Sequence, residues 1–305
     1  MSKIACVFPG QGSQSLGMLK DLAENFPSVN VCFEESSDAL GYDLWKICQQ
    51  GPESSLNQTE ITQPALLTAS IACLQVLQSE QGIQADYYAG HSLGEYSALV
   101  AAKVIDLSQG VKIVSARGKF MQAAVKPGDG AMYAIIGLDD EAIATICEQV
   151  ANETKQVVAP VNFNSPGQVV IAGQKEAVDQ AAAAIKEAGA KRALPLAVSV
   201  PSHCALMKGA SEELSHLLDE LPFASPVVPV VNNVDVAVAN DSEAIKDALV
   251  RQLYMPVQWT KSINYLAQQG VSDIIEVGPG KVLTGLIKRI DKSIATRSFN
   301  SPSDL

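Results

Sequence analysis

Apolar positions along the 305-residue chain alternate between short β-prone runs and longer stretches with helical spacing, the rhythm of an α/β protein. Ile4 to Phe8 reads as a first strand. A helix is expected over Pro64 to Ser79, with Thr62 as its cap and Pro64 in its first turn. A β-prone run from Asp86 to Ala89 leads into a helix-prone segment, Glu95 to Val104, and a further helix spans about Ser108 to Val125. Between residues 16 and 61 no element is assigned. Lys126-Pro127-Gly128-Asp129-Gly130 then breaks the pattern and is the expected domain boundary.

Beyond that breaker the order becomes strand, helix, strand, strand, helix, strand. The spans are Ala131 to Ile136, Glu141 to Val150, Val157 to Asn162, Gln168 to Ala172, Lys175 to Ala188 and Arg192 to Val198. This βαββαβ order is that of a ferredoxin-like module. From Val200 the first rhythm returns: helix Ala205 to Glu220, strand Val227 to Asn232, helices Asp241 to Leu253 and Thr260 to Gln269, strand Asp273 to Val277 and helix Lys281 to Ile290. A small domain of residues 127–197 is therefore expected inside a parallel-sheet domain made of residues 1–126 and 198–305.

The junction at residue 90 carries the first candidate chemistry. Gly90-His91-Ser92-Leu93-Gly94 is a G-x-S-x-G pattern between an expected strand and an expected helix, the context in which that pattern makes an exposed nucleophile. Chance would supply three fixed positions in five often enough, but not the flanking elements. A serine hydroxyl needs a base. His216 faces away from the apolar stripe of its helix and is expected on the surface. His91 adjoins Ser92 on the sharp turn and is expected to be structural, lining the cleft. His203, in a loop after a strand, is the best base.

Arg117 projects from the centre of the apolar stripe formed by Ile113, Val114, Phe120, Met121 and Ala124, opposite Lys112, Ser115, Lys119 and Gln122. A guanidinium there demands an anion, either a protein carboxylate or a ligand carboxylate. Two glycine clusters invite a nucleotide-binding reading and fail it. Gly10-Gln11-Gly12-Ser13-Gln14-Ser15 has serine at the last required glycine, and Gly278-Pro279-Gly280-Lys281 lacks the spacing of a phosphate loop. The first cluster suits an oxyanion loop, with the N–H of Gln11 and that of Leu93 as donors.

Composition narrows the field. A net charge of −11 argues against nucleic acid or an anionic membrane as partner. No apolar run is expected to span a bilayer, and Met1-Ser2-Lys3 runs into the first strand without a secretory leader. The six scattered cysteines read as reduced thiols of a cytoplasmic protein, with no zinc spacing among them. A monomer is expected.

Five segments together resemble the malonyl-CoA:acyl carrier protein transacylase family, in order and over essentially the whole chain. They are Val7 to Gln14, Gly90 to Tyr96, the Arg117 segment, Pro201-Ser202-His203, and Pro256-Val257-Gln258-Trp259 with Glu276 to Gly280. The free-standing bacterial enzymes of type II fatty acid synthesis are the nearest in character. The resemblance implies an α/β-hydrolase-like large domain with an inserted ferredoxin-like small domain. It implies ping-pong malonyl transfer from malonyl-CoA to the phosphopantetheine thiol of acyl carrier protein, without metal or other cofactor. Ser92 would be the nucleophile, His203 the acid and base, Gln11 and Leu93 the oxyanion hole, and Arg117 the malonyl carboxylate clamp. Gln252 matches the position whose backbone carbonyl orients the histidine, and Asn162 would line the cleft. Leu93 stands where many methylmalonyl-selective relatives have glutamine, while the Pro201-Ser202-His203 context matches neither usual modular-synthase signature.

Overall fold

The computed structural model describes residues 2–197 and 200–305. Strand β1 (Lys3–Phe8) is apolar on both faces because helices cover both: Ala5 and Val7 enter one buried cluster, Cys6 and Phe8 another. Strand β2 (Tyr87–Gly90) pairs with it in parallel. The breaker at 126–130 opens strand β3 (Gly130–Ile136), which is followed by β4 (Val158–Ser165), β5 (Gln168–Gln174) and β6 (Arg192–Pro195). Strands β7 (Val230–Val231), β8 (Val271–Val277) and β9 (Ala295–Phe299) return to the first sheet.

The first sheet has the order β7-β2-β1-β8-β9, every pair parallel. The second has the order β4-β5-β3-β6, every pair antiparallel. With helices Asp140–Thr154 and Lys175–Glu187 packed on one face, this is the expected ferredoxin-like βαββαβ arrangement. Its opposite face carries a smaller cluster, Met132, Val161, Val170 and Ala172, which meets Cys204 of the larger part.

Several expected boundaries are corrected. The helix at Pro64 to Ser79 runs from Thr59 to Gln81, with Pro64 inside it and Gln58 at the cap position. Thr62 is no cap; its hydroxyl donates to the carbonyls of Leu56 and Gln58, tying down the chain just before the helix. This helix is also long and apolar enough to cross a membrane by length and composition, contrary to expectation, but 83% of its apolar window is buried in the core. The strand expected at Val227 to Asn232 keeps only Val230 and Val231. The helix expected at Ala205 to Glu220 starts with a 3-10 turn, Ala205–Met207, and continues as Lys208–Asp219. The strand expected to reach Val198 ends at Pro195, and Val198 lies outside the described residues. The unassigned stretch 16–61 holds four helices: Lys20–Asn25, Ser28–Leu40, Leu44–Gln50 and Glu53–Leu56.

Candidate active site

Where β2 ends, the chain turns into helix Gly94–Ala101 within a few residues, and the two glycines of the motif make that turn possible. A Cβ on Gly90 would lie 1.9 Å from the carbonyl carbon of Gly94, and one on Gly94 would lie 2.0 Å from the carbonyl oxygen of Phe8. Strand and helix can approach this closely only without side chains there. Ser92 sits between them at φ 51°, a left-handed conformation that lifts its hydroxyl out of the turn. His203 also has a positive φ, 65°, and its N–H donates to the carbonyl of Leu253.

The two residues meet across the cleft. Ser92 Oγ lies 2.8 Å from His203 Nε2, and His203 Nδ1 lies 2.6 Å from the backbone carbonyl of Gln252. A carbonyl only accepts, so Nδ1 carries the proton and Nε2 is left bare to accept from the serine hydroxyl. Burial, reinforced by the nearby positive charge of Arg117, pushes the His203 imidazole down to about 3. It is therefore neutral, and a competent acceptor, throughout the ordinary pH range.

Arg117, on helix Leu107–Ala124, is fully buried behind Ser92. Its Nη1 donates to Gln63 Oε1 at 2.8 Å, and its Nη2 donates to Gln252 Oε1 at 3.0 Å and to Ser92 Oγ at 3.2 Å. Its guanidinium also lies 5.4 Å from the ring centre of Tyr96. Of the two anions considered for Arg117, the protein carboxylate is thus not in contact with it. The burial of its stripe is otherwise as expected, save that Ser115 points inward at 7% exposure and Ala124 outward.

Gln252 does more than orient the histidine. Its side-chain Nε2 donates to the carbonyl of Ser92 at 3.1 Å and to Glu95 Oε2 at 2.8 Å. Glu95 also accepts the N–H of Asn233, while Asn233 accepts the N–H of Ser92 at 2.7 Å and donates to the carbonyl of Gly90. Gln63, Glu95 and Asn233 were not singled out from the sequence, although each is a polar side chain in an apolar setting.

A cleft of about 550 Å³ opens above the pair, walled by the 10–14 loop, by the antiparallel sheet and by helix Val282–Ile290. Gln11 stands at its edge, and the N–H groups of Gln11 and Leu93 enter no hydrogen bond among the described residues. Asn162 lines the cleft from β4, and His91 lines it while its Nε2 meets Asn164 Oδ1 at 2.8 Å. Just before the second glycine cluster, Glu276 accepts the N–H groups of Leu283 and Thr284, pinning the start of the helix that brings Leu283 and Leu286 to the cleft.

A neutral base on a strained serine, backed by a buried cation, suits acyl transfer. The acyl transferase domain family matches residues 5–298. The chain belongs to that family. A malonyl CoA-acyl carrier protein transacylase from Escherichia coli K12 is 62% identical over 99% of this chain and 97% of its own. One from Bacillus subtilis is 45% identical over 100% and 96%. An acyl carrier protein S-malonyltransferase from Vibrio cholerae superposes with a TM-score of 0.96 at 59% identity, covering 99% of this chain and 98% of its own. A malonyl-transacylase in complex with its type II PKS acyl-carrier protein gives 0.97 at 58% identity, covering 99% and 97%. In this acyl transferase Gln11, His91, Ser92, Asn162 and His203 line one cleft, and the buried Arg117 and Gln252 reach Ser92 by hydrogen bonds from beneath it.

Proposed function

We propose that this acyl transferase moves a malonyl group from malonyl-CoA to the phosphopantetheine thiol of acyl carrier protein, by way of an ester on Ser92. Ser92 Oγ attacks the thioester carbonyl and its proton passes to His203 Nε2. The N–H groups of Gln11 and Leu93 receive the oxyanion. Collapse expels the CoA thiolate, which takes the proton back from His203. The carrier thiol then attacks the malonyl-serine ester by the same route in reverse. Serine, histidine and the two thiols complete this chemistry, so the proposal includes no metal or redox cofactor.

The observation that carries the choice of malonyl is Arg117: a fully buried guanidinium 3.2 Å from Ser92 Oγ, held by neutral oxygens and so free to take a carboxylate. The free carboxylate of a malonyl group matches it through two parallel hydrogen bonds. Asn162 and His91 are proposed to line the path of the thioester arm. We further propose the division into a large domain, residues 1–126 and 198–305, and a small one, residues 127–197, with the cleft between them. A cytoplasmic setting fits the six buried, unpaired thiols.

The test supplies purified protein with malonyl-CoA and with carrier protein in its phosphopantetheinylated and unmodified forms. Malonyl-carrier should form only with the modified form. Equal transfer to the unmodified form, or release of free malonate at the rate of transfer, would contradict the proposal.

A further inference from the structure

The cation beneath the nucleophile has a carboxylate close by but not touching it. Glu95 is 2% exposed and bears electrostatically on Arg117. One amide stands between them: Gln252 Oε1 accepts from Arg117 at 3.0 Å while its Nε2 donates to Glu95 at 2.8 Å. A direct ion pair would have closed Arg117 to an incoming anion. The relay leaves its hydrogen-bonding edge on neutral oxygens and keeps the balancing charge within range.

On the malonyl reading above, we propose that Glu95 is a specificity-determining residue that opposes Arg117. In the empty site its carboxylate balances the buried guanidinium across the Gln252 amide. Once a malonyl carboxylate occupies Arg117, the same carboxylate is a surplus negative charge that weakens the grip. Malonyl is then selected by Arg117 yet held loosely enough to be handed on.

Glu95 can shed that charge by taking up a proton. Burial pushes its carboxyl up to about 7, against the hydrogen bonds from Gln252 and Asn233 and the attraction of Arg117. Asp235, on the loop after β7, acts in the same upward direction and is ion-paired with Arg251. Tyr96, the next residue on Glu95's own helix, stays neutral with its hydroxyl pushed up to about 12. His203 and His91, also in the cleft, are both pushed down by burial and stay neutral. A malonyl carboxylate raises Glu95 further. The sign follows: on the acid side of this range Glu95 is neutral and malonyl is unopposed, and on the alkaline side it is charged and malonyl is resisted. An acetyl group has no carboxylate and feels none of this.

The experiment offers malonyl-CoA and acetyl-CoA together to the full chain and reads both esters on Ser92 by intact mass, across pH, for wild type and Glu95→Gln. Glutamine keeps an acceptor oxygen for Asn233 and Gln252 and removes the charge. The malonyl-to-acetyl ratio of the wild type should fall roughly 5- to 30-fold between about pH 6 and about pH 8.5, as for unit charges an amide apart at intermediate dielectric. The variant should stay flat at the acid-side value. Any titration on CoA affects both esters and cancels, and His203 stays neutral over this range. A wild-type ratio constant over that range overturns the inference, as does a variant that keeps the wild-type slope. Should the variant fail to fold, the wild-type slope alone decides. Absence of malonyl loading at every pH would instead remove the malonyl reading, and this inference with it.

Discussion

Ser92 and His203 share a left-handed backbone, at φ 51° and 65°, and each is held there by hydrogen bonds from segments distant in sequence. Such strain is kept only where neighbours over-determine it. His203→Ala should slow Ser92 acylation by ~100- to 10,000-fold with substrate binding retained; near-normal single-turnover rates would move the base elsewhere. Because burial holds His203 well below its ordinary value of 6.5, the acetyl-loading rate should stay level from about pH 8 to about pH 5.5. A fall centred near the ordinary value would show that the imidazole is not desolvated as described.

Arg117 allows the sharpest comparison. Arg117→Ala removes one partner of a buried charge pair, a loss of roughly 2–5 kcal/mol or about 30- to 5,000-fold in malonyl loading. Relative activity toward acetyl-CoA should rise in the same variant. Arg117→Lys should rescue only in part, since an ammonium lacks the planar fork. Equal loss of malonyl and acetyl loading would make Arg117 a structural residue. These three side chains were legible because each breaks a local pattern: a serine on an elbow, a histidine left by elimination, a cation in an apolar stripe. Glu95, Gln63 and Asn233 were not, because their meaning lies in partners 138, 54 and 141 positions away.

At the scale of elements, the strand-turn-helix around Ser92 depends on two missing side chains. Gly94→Ala would place a Cβ 2.0 Å from the Phe8 carbonyl oxygen, backbone against backbone, so neither can yield cheaply. The expected result is a loss of about 3 kcal/mol or more, seen as a lowered thermal midpoint, together with loss of Ser92 loading. An unchanged midpoint would mean that the elbow can open.

Elements whose buried positions are apolar with one period were readable, and those whose buried stripe includes polar residues were not. Helix Ser28–Leu40 buries Val29, Cys32, Phe33 and Ser36, a helical stripe disguised by cysteine and serine at core positions. Strand β9 is half-buried at the sheet edge, and its sequence Ala-Thr-Arg-Ser-Phe carries too little apolar alternation to stand out. The start of helix Thr59–Gln81 was misplaced because Pro64 suits a first turn, whereas here the helix begins five residues earlier.

Over the whole molecule, the inserted βαββαβ module was legible from element order alone, and the cleft it forms with the parallel sheet was not. The antiparallel sheet is tied to the rest of the chain by contacts such as the N–H of Phe163 to the carbonyl of Val257, which no local pattern announces. Against this molecule's charge of −11, a carrier protein that is itself acidic would have to find a local basic patch. Lys288, Arg289 and Lys292 are exposed on or beside helix Val282–Ile290, and Arg289 donates to Gln168 at the cleft wall. Lys186, Lys191 and Arg192 form the alternative cluster on the small module, where Lys186 already donates to the carbonyls of Ala190 and Lys191. Charge reversal at either cluster should raise KM for carrier protein ~5-fold or more and leave that for malonyl-CoA unchanged. If neither cluster does so, docking is not electrostatic at these sites.

The covalent intermediate is the centre of the account, and rapid-quench intact mass tests it most directly. Wild-type protein mixed with malonyl-CoA should gain one malonyl group, mapped to Ser92, and lose it on addition of phosphopantetheinylated carrier protein as the carrier gains it. Ser92→Ala, which removes one hydroxyl from an otherwise intact elbow, should gain nothing. A malonyl group appearing on the Ala variant, or one on the wild type that carrier protein fails to discharge, would contradict it.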